Sequence, residues 1–391
     1  MPQVAPGGAL AARTAIVAVA TIFGLTYSLA AALIALDLSE RGLSETLIGA
    51  NAAMHALGVL MMAFLLPRLA AFLGLKRAVI GALLAASGLL CLFPLLPVIW
   101  IWFVLRIFLG AASETLFVLS ETWLNAVSAE SSRARTMAAY TAALSVGFAL
   151  GPLILSWVGS DGFAPYGVGA ALAAGAALIV MSPAVASVRF EAPQHANPLR
   201  YMRLAPIAMA ATALNAAVET SGLTFLTLYA MAVGWQESDA TQLMACMMFG
   251  AIVLQLPLGW IGDKVDRERL IVALAMLAAL GALAWPWALG SQWATYAILF
   301  VWGGIFVGIY TMMLALVGSR FSGSDIVGIY AAMGLFWGAG ALVGPSLAGM
   351  AMQSSTHGLV FFIALACAAF ALCAAAFRGT RKGAKEGAAA L

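Results

Sequence analysis

Residues 147–152 read Gly147-Phe148-Ala149-Leu150-Gly151-Pro152, and residues 340–345 read Gly340-Ala341-Leu342-Val343-Gly344-Pro345. Each stretch lies inside a long apolar run. Glycines four apart share one helix face and let a neighbouring backbone come close. The proline that follows them bends the helix. One such pattern is ordinary packing. The same pattern repeated 193 positions later, in a matching apolar run, indicates a chain built as two halves of one kind.

Composition sets the medium in which those halves fold. The 391 residues are 64% hydrophobic and 9% charged, with a mean hydropathy of +1.02. Soluble domains carry about a quarter charged residues. So few charges cannot cover a water-soluble surface, which leaves an integral membrane protein and excludes disordered, fibrous and disulfide-scaffold classes. Cys91, Cys246, Cys367 and Cys373 stand in apolar runs without CxxC spacing and read as small buried hydrophobes. The first run, Thr14 to Leu36, exceeds the core of a signal peptide and is read as a span.

About 20 apolar residues cross the hydrocarbon core as a helix. Cutting at charge clusters and Pro/Gly breaks gives twelve such stretches: 14–36, 46–66, 78–97, 99–123, 136–157, 165–187, 205–232, 241–261, 270–290, 294–317, 327–350 and 358–377. None alternates in polarity as a barrel strand does, so each is expected to be helical. Placing the N-terminus in the cytoplasm puts 17 of the 19 Lys and Arg on the inner side, all except Arg41 in an outer loop and Arg106 within a span. That asymmetry predicts both termini inside. Trp100, Trp102, Trp235 and Trp293 fall near the outer boundary, as interfacial aromatics do. The expected organisation is a six-helix half over 1–188, a cytoplasmic linker over 189–204, a second six-helix half over 205–378, and a basic tail over 379–391.

The loop after the eighth span contains Gly259-x-x-x-Asp263-Lys264, followed by Arg269. This resembles the signature loop G-x-x-x-D-R/K-x-G-R/K-R/K of the major facilitator superfamily, with Asp266 where Gly is usual. The loop after the second span keeps Gly74, Lys76 and Arg77 but has Ala71 in place of the Asp. Arg106-x-x-x-Gly110 in the fourth span is similar to another element of that superfamily. Ser120 to Asn125, with Arg133, Arg135 and Tyr140, resembles a bacterial permease subgroup that brings no substrate with it. The resemblance covers the whole chain and implies an all-α membrane protein, twelve transmembrane helices in two pseudo-symmetric halves of the major facilitator fold. It also implies a central cavity lined by helices one, four, seven and ten.

Ionisable side chains at mid-span cost about 2.5–3.5 kcal/mol each, so each asks for a reason. Glu219 stands mid-way along the seventh span on one stripe with Thr212, Asn215 and Gly222. A carboxyl group at that depth can bind and release a proton, or serve as a neutral interhelical donor. Glu114 is the deepest acid of the fourth span, and His55 lies mid-span in the second as a proton relay or a satisfied donor. Arg106 faces the pathway if the resemblance holds, or snorkels outward. The cavity of that superfamily, carried over, takes Tyr27, Arg106, Glu114, Asn215, Glu219, Trp302 and Tyr310, with His55 beside it. Gly147, Gly151, Pro152, Gly340, Gly344 and Pro345 are expected at moving helix contacts. Gly259, Asp263, Lys264 and Arg269 are expected to form a charged latch beside the start of the fifth span, near Arg133 and Arg135, unless they are only solvated charges that fix topology.

No GxxxxGK[ST], HExxH or GxSxG pattern occurs, so neither ATP-driven transport nor the corresponding hydrolytic chemistry is indicated. No enzyme, no cofactor and no metal is expected. Methionines such as Met244, Met247 and Met248 are packing residues more readily than copper ligands. The function expected is secondary active transport of a small organic solute across the bacterial inner membrane, coupled to protons. Its partners are that solute, H+ and the bilayer, without nucleic acid, and the chain is expected to be a monomer. Gly147 to Pro152 resembles the antiporter signature of drug exporters, although Leu153-Ile154-Leu155-Ser156 lacks its terminal glycines. A proton-linked importer, an uncoupled facilitator, a copper importer, and a sensor or assembly factor remain the alternatives.

Overall fold

The computed structural model describes residues 6–128, 133–185, 204–321 and 323–389. The expected linker over 189–204 lies outside the described residues apart from Leu204, as do the side chains of Arg133 and of the basic tail. Every element among the described residues is helical: α1 (Pro6–Glu40), α2 (Glu45–Leu73), α3 (Leu75–Leu95), α4 (Ile99–Val127), α5 (Arg133–Val158), α6 (Ala164–Met181), α7 (Pro206–Ala232), α8 (Glu237–Val253), α9 (Gln255–Lys264), α10 (Arg267–Leu283), α11 (Trp285–Ala288), α12 (Gln292–Arg320), α13 (Gly323–Ser354) and α14 (Gly358–Ala389). With α8 and α9 taken together, ten helices among the described residues are long and apolar enough to cross a membrane. The others of comparable place are α7, which carries Asn215, Glu219 and five Ser and Thr residues, and the 17-residue α10.

Three expected spans differ in detail, and proline accounts for each. The sixth stops at Met181, not 187, because Ser182 precedes Pro183 and takes an extended ψ of 133°. The eighth is interrupted at Leu254, where Pro257 has no N–H to give the Val253 carbonyl. The ninth breaks at Ala284, where Pro286 withholds its bond from Ala282. Between α2 and α3 the chain turns on Gly74 alone, at φ 75°, a left-handed conformation that side chains disfavour.

The chain divides into two compact units. One holds the first six spans together with Trp235–Ala245, and the other holds the remaining spans from Cys246 onward together with α7. Packing within the first unit pairs α1 with α5, α2 with α4, and α3 with α6. The second unit repeats this plan, pairing α7 with α13, α9 with α12, and α10 with α14.

Glycine sets the closest crossings in both. A Cβ on Gly147 or Gly151 would strike Thr21 or Ser28 and Leu29 of α1. One on Gly340 or Gly344 would strike Ala213 or Ala217 of α7. A second set of crossings does the same. Gly58 of α2 meets the Ile107 carbonyl and Gly110 of α4 meets that of His55, while Gly250 of α8 meets Phe300 and Gly303 of α12 meets Met247.

Candidate functional site

In the N-terminal unit the Gly58 and Gly110 crossing brings α2 and α4 into backbone contact at the level of His55. Tyr27 of α1 sets its ring edge-on to His55 at 4.9 Å and packs against Phe148 of α5 at 5.5 Å. Arg106, on α4 one turn before Gly110 of that crossing, is buried. Asn51, one helical turn before His55, is buried too. Tyr27, His55 and Arg106 are therefore brought together. Glu114 is not part of the group: it lies half-buried on α4, eight residues past Arg106, or about 12 Å along the axis. Asp37, the nearest acid on α1, is bound by Arg41 at 2.6 Å and by the Tyr166 hydroxyl at 3.0 Å.

In the C-terminal unit Asn215 Nδ2 donates to Glu219 Oε2 at 3.0 Å, one turn apart on α7. Thr212, Thr220, Ser221 and Thr224 turn their hydroxyls back onto carbonyls one turn earlier, which leaves the amide and the carboxyl as the stripe's reactive pair. Trp302 is placed elsewhere. Its indole Nε1 donates to the Ala278 carbonyl of α10 at 2.8 Å, and its ring lies against Trp285 at 4.9 Å and Phe306 at 5.0 Å. It is 2% exposed and serves the packing of α12 on α10 and α11. Tyr310 is half-buried on α12, eight residues further on. A groove of about 320 Å³ opens among Pro206, Ala208, Met313, Phe321 and Phe377, and Asn215, Glu219, Trp302 and Tyr310 are not in its lining.

At the end of the same unit, Asp263 is 75% exposed and pairs with Arg267, one turn on, at 3.1 Å. Arg267 also donates to the Ala315 carbonyl of α12 at 3.3 Å, and Lys264 lies 3.3 Å from the Trp260 ring centre. Asp266 caps α10 by accepting from the Arg269 backbone N–H at 2.8 Å, which gives a physical use to the acid at the position where Gly was expected. Around it, Glu268 binds Arg320 at 2.6 Å, and Arg378 reaches Asp266 at 3.2 Å and Glu268 at 3.7 Å. Nothing crowds Gly259, where a Cβ would meet open space.

The profile of the Major Facilitator Superfamily matches residues 16–322 and 207–390, two overlapping stretches that together take in nearly the whole chain. The chain belongs to this superfamily. It is similar to the MFS-type transporter YfkF of Bacillus subtilis, 23% identical over 90% of this chain and 91% of that one. It is also similar to the MFS-type transporter Ent638_1421 of an Enterobacter species, 26% identical over 86% and 88%. Both relatives are described as uncharacterized. Among solved structures it resembles the nucleoside transporter NupG, with a TM-score of 0.74 at 13% identity over 94% of this chain and 98% of that one. A D-xylose–proton symporter gives 0.73 at 14% over 93% and 97%.

As a superfamily member, the protein is a multi-pass membrane transporter with the expected all-helical fold. Several residues important to its architecture escaped the reading by motif. The second glycine repeat was readable, since Gly58 and Gly250 lie 192 positions apart and Gly110 and Gly303 lie 193 apart. The Asp266, Glu268, Arg320 and Arg378 cluster was not, because it joins three distant segments.

Proposed function

We propose that this protein is a proton-coupled secondary transporter of a small organic solute in the bacterial inner membrane, with both termini in the cytoplasm. The observation that carries the coupling is the Asn215–Glu219 pair: a carboxyl group in the middle of an apolar helix, held by a neutral amide instead of a cation. Such a group changes charge by taking up one proton, and in a low-dielectric site that change is large enough to shift affinity and gating. Glu114 is the second proton-carrying residue, and Tyr27, His55, Arg106, Asn215 and Tyr310 belong to the solute pathway. The proposed direction is export by antiport, on the stretch from Gly147 to Pro152. Import is the second reading, favoured by the absence of terminal glycines over Leu153–Ser156. Asp263 with its loop is proposed as the latch of the inward-closed state, and Asp263→Asn is expected to raise cysteine labelling of the pathway from the cytoplasmic side.

A thermal-shift screen of metabolites and drugs at two pH values supplies a solute, because binding stabilises the fold by mass action. Proteoliposomes holding a pH-sensitive dye then report proton movement when that solute is added. Wild-type protein is expected to move protons with the solute, and Glu219→Gln to bind the solute without doing so. A Glu219→Gln protein that still accumulates solute uphill with the wild-type pH dependence removes Glu219 from the mechanism.

A further inference from the structure

Three buried side chains on two crossing helices of the N-terminal unit carry polar atoms without a partner. Arg106 is 4% exposed, His55 6% and Asn51 1%. Arg106 Nε, both ring nitrogens of His55 and Asn51 Nδ2 have no hydrogen-bond partner among the described residues. None of the ion pairs found among those residues involves Arg106. Asp37 of α1 is already bound by Arg41 and Tyr166. A guanidinium buried without a counter-charge is costly, and so is each unpaired donor beside it. A planar anionic group with two oxygens answers the guanidinium fork and accepts from the imidazole and the amide as well.

We propose that Asn51, His55 and Arg106 form a subsite for the oxyanion group, carboxylate or phosphate, of an anionic solute. This names the substrate class of the transporter proposed above and rests on that reading. Arg106 supplies the charge and the paired donors, while His55 and Asn51 fix the orientation of the bound group. The Tyr27 ring against His55 gives the site an apolar wall on the α1 side.

The test is a thermal-shift titration of purified full-length protein at constant ionic strength and pH 7. The probes are benzoate, succinate and inorganic phosphate, set against benzylamine and benzyl alcohol. At least one oxyanion is expected to raise Tm, and the carboxylate and phosphate arms tell the two sources apart. Arg106→Gln is expected to weaken that oxyanion at least tenfold, equivalent to about 1.4 kcal/mol, while its own ligand-free Tm stays at or above that of wild type. Should Arg106→Gln not fold, Asn51→Leu is the second variant, with the same direction expected. No shift with any oxyanion, or an oxyanion shift unchanged in the variants, overturns the subsite. A shift with benzylamine or benzyl alcohol alone overturns it too and leaves the transporter reading standing, because that reading is decided separately by proton movement in Glu219→Gln.

Discussion

Trp302 shows how much a single side chain can conceal. In the sequence it is an aromatic on a helix expected to line the cavity, yet its indole lies over Gly281, whose absent Cβ would come 2.9 Å from the ring. Trp302→Phe removes the donor to the Ala278 carbonyl and is expected to cost about 1–3 kcal/mol, the penalty for an unsatisfied buried group, with solute affinity unchanged. Thermal unfolding combined with a binding titration checks both halves of that expectation. Glu219 is the contrasting case, because its depth in the span and its stripe with Asn215 were legible from spacing alone. A helix stripe follows from one sequence, whereas the direction in which an aromatic points depends on the neighbour that makes room for it. For the same reason Asn51 acquires its meaning only beside His55 and Arg106, which the sequence leaves more than fifty residues apart.

Among the helices, the crossings divide the glycines into two kinds. Gly110 stands against the His55 backbone, so Gly110→Ala forces α2 and α4 apart and is expected to lower stability by about 1–3 kcal/mol, as overpacking does. Gly81 of α3 faces open space, and Gly81→Ala is expected to raise stability by about 0.5–1 kcal/mol by restricting the unfolded chain. Opposite signs of the Tm shift for these two helix glycines are the expected result. Two basic residues close helix ends at this scale. Arg13 donates to the Val127 carbonyl at the end of α4, and Lys76 donates to those of Ser182 and Val185 after α6, at 2.8 and 2.9 Å. Positive charge at a helix C-terminus satisfies orphan carbonyls and opposes the dipole, so Lys76→Met is expected to cost about 0.3–1 kcal/mol by thermal unfolding. These contacts were not legible, since spacing within one loop does not say which distant helix ends there.

For the molecule as a whole, the all-helical membrane fold and the family were readable, because lipid leaves the backbone few options and the 193-residue repeat is explicit. The ends of α6, α8 and α10 needed the proline geometry. Orientation has its own test: in a protein lacking Cys91, Cys246, Cys367 and Cys373, Lys264→Cys should react with an impermeant thiol reagent from the cytoplasmic side and Asp161→Cys from the outer side. The reverse pattern would turn the topology over. The glycine crossings also leave a genetic trace. Ten glycines among the described residues meet backbone directly, and eight of them stand a repeat apart from one another: Gly58, Gly110, Gly147, Gly151, Gly250, Gly303, Gly340 and Gly344. In a library of random variants, inactivating changes should recur in couples, codon 58 with 250, 110 with 303, 147 with 340, and 151 with 344. Codons for Arg106 and Glu219 should have no such counterpart, which would separate the inherited frame from the chemistry each half acquired on its own.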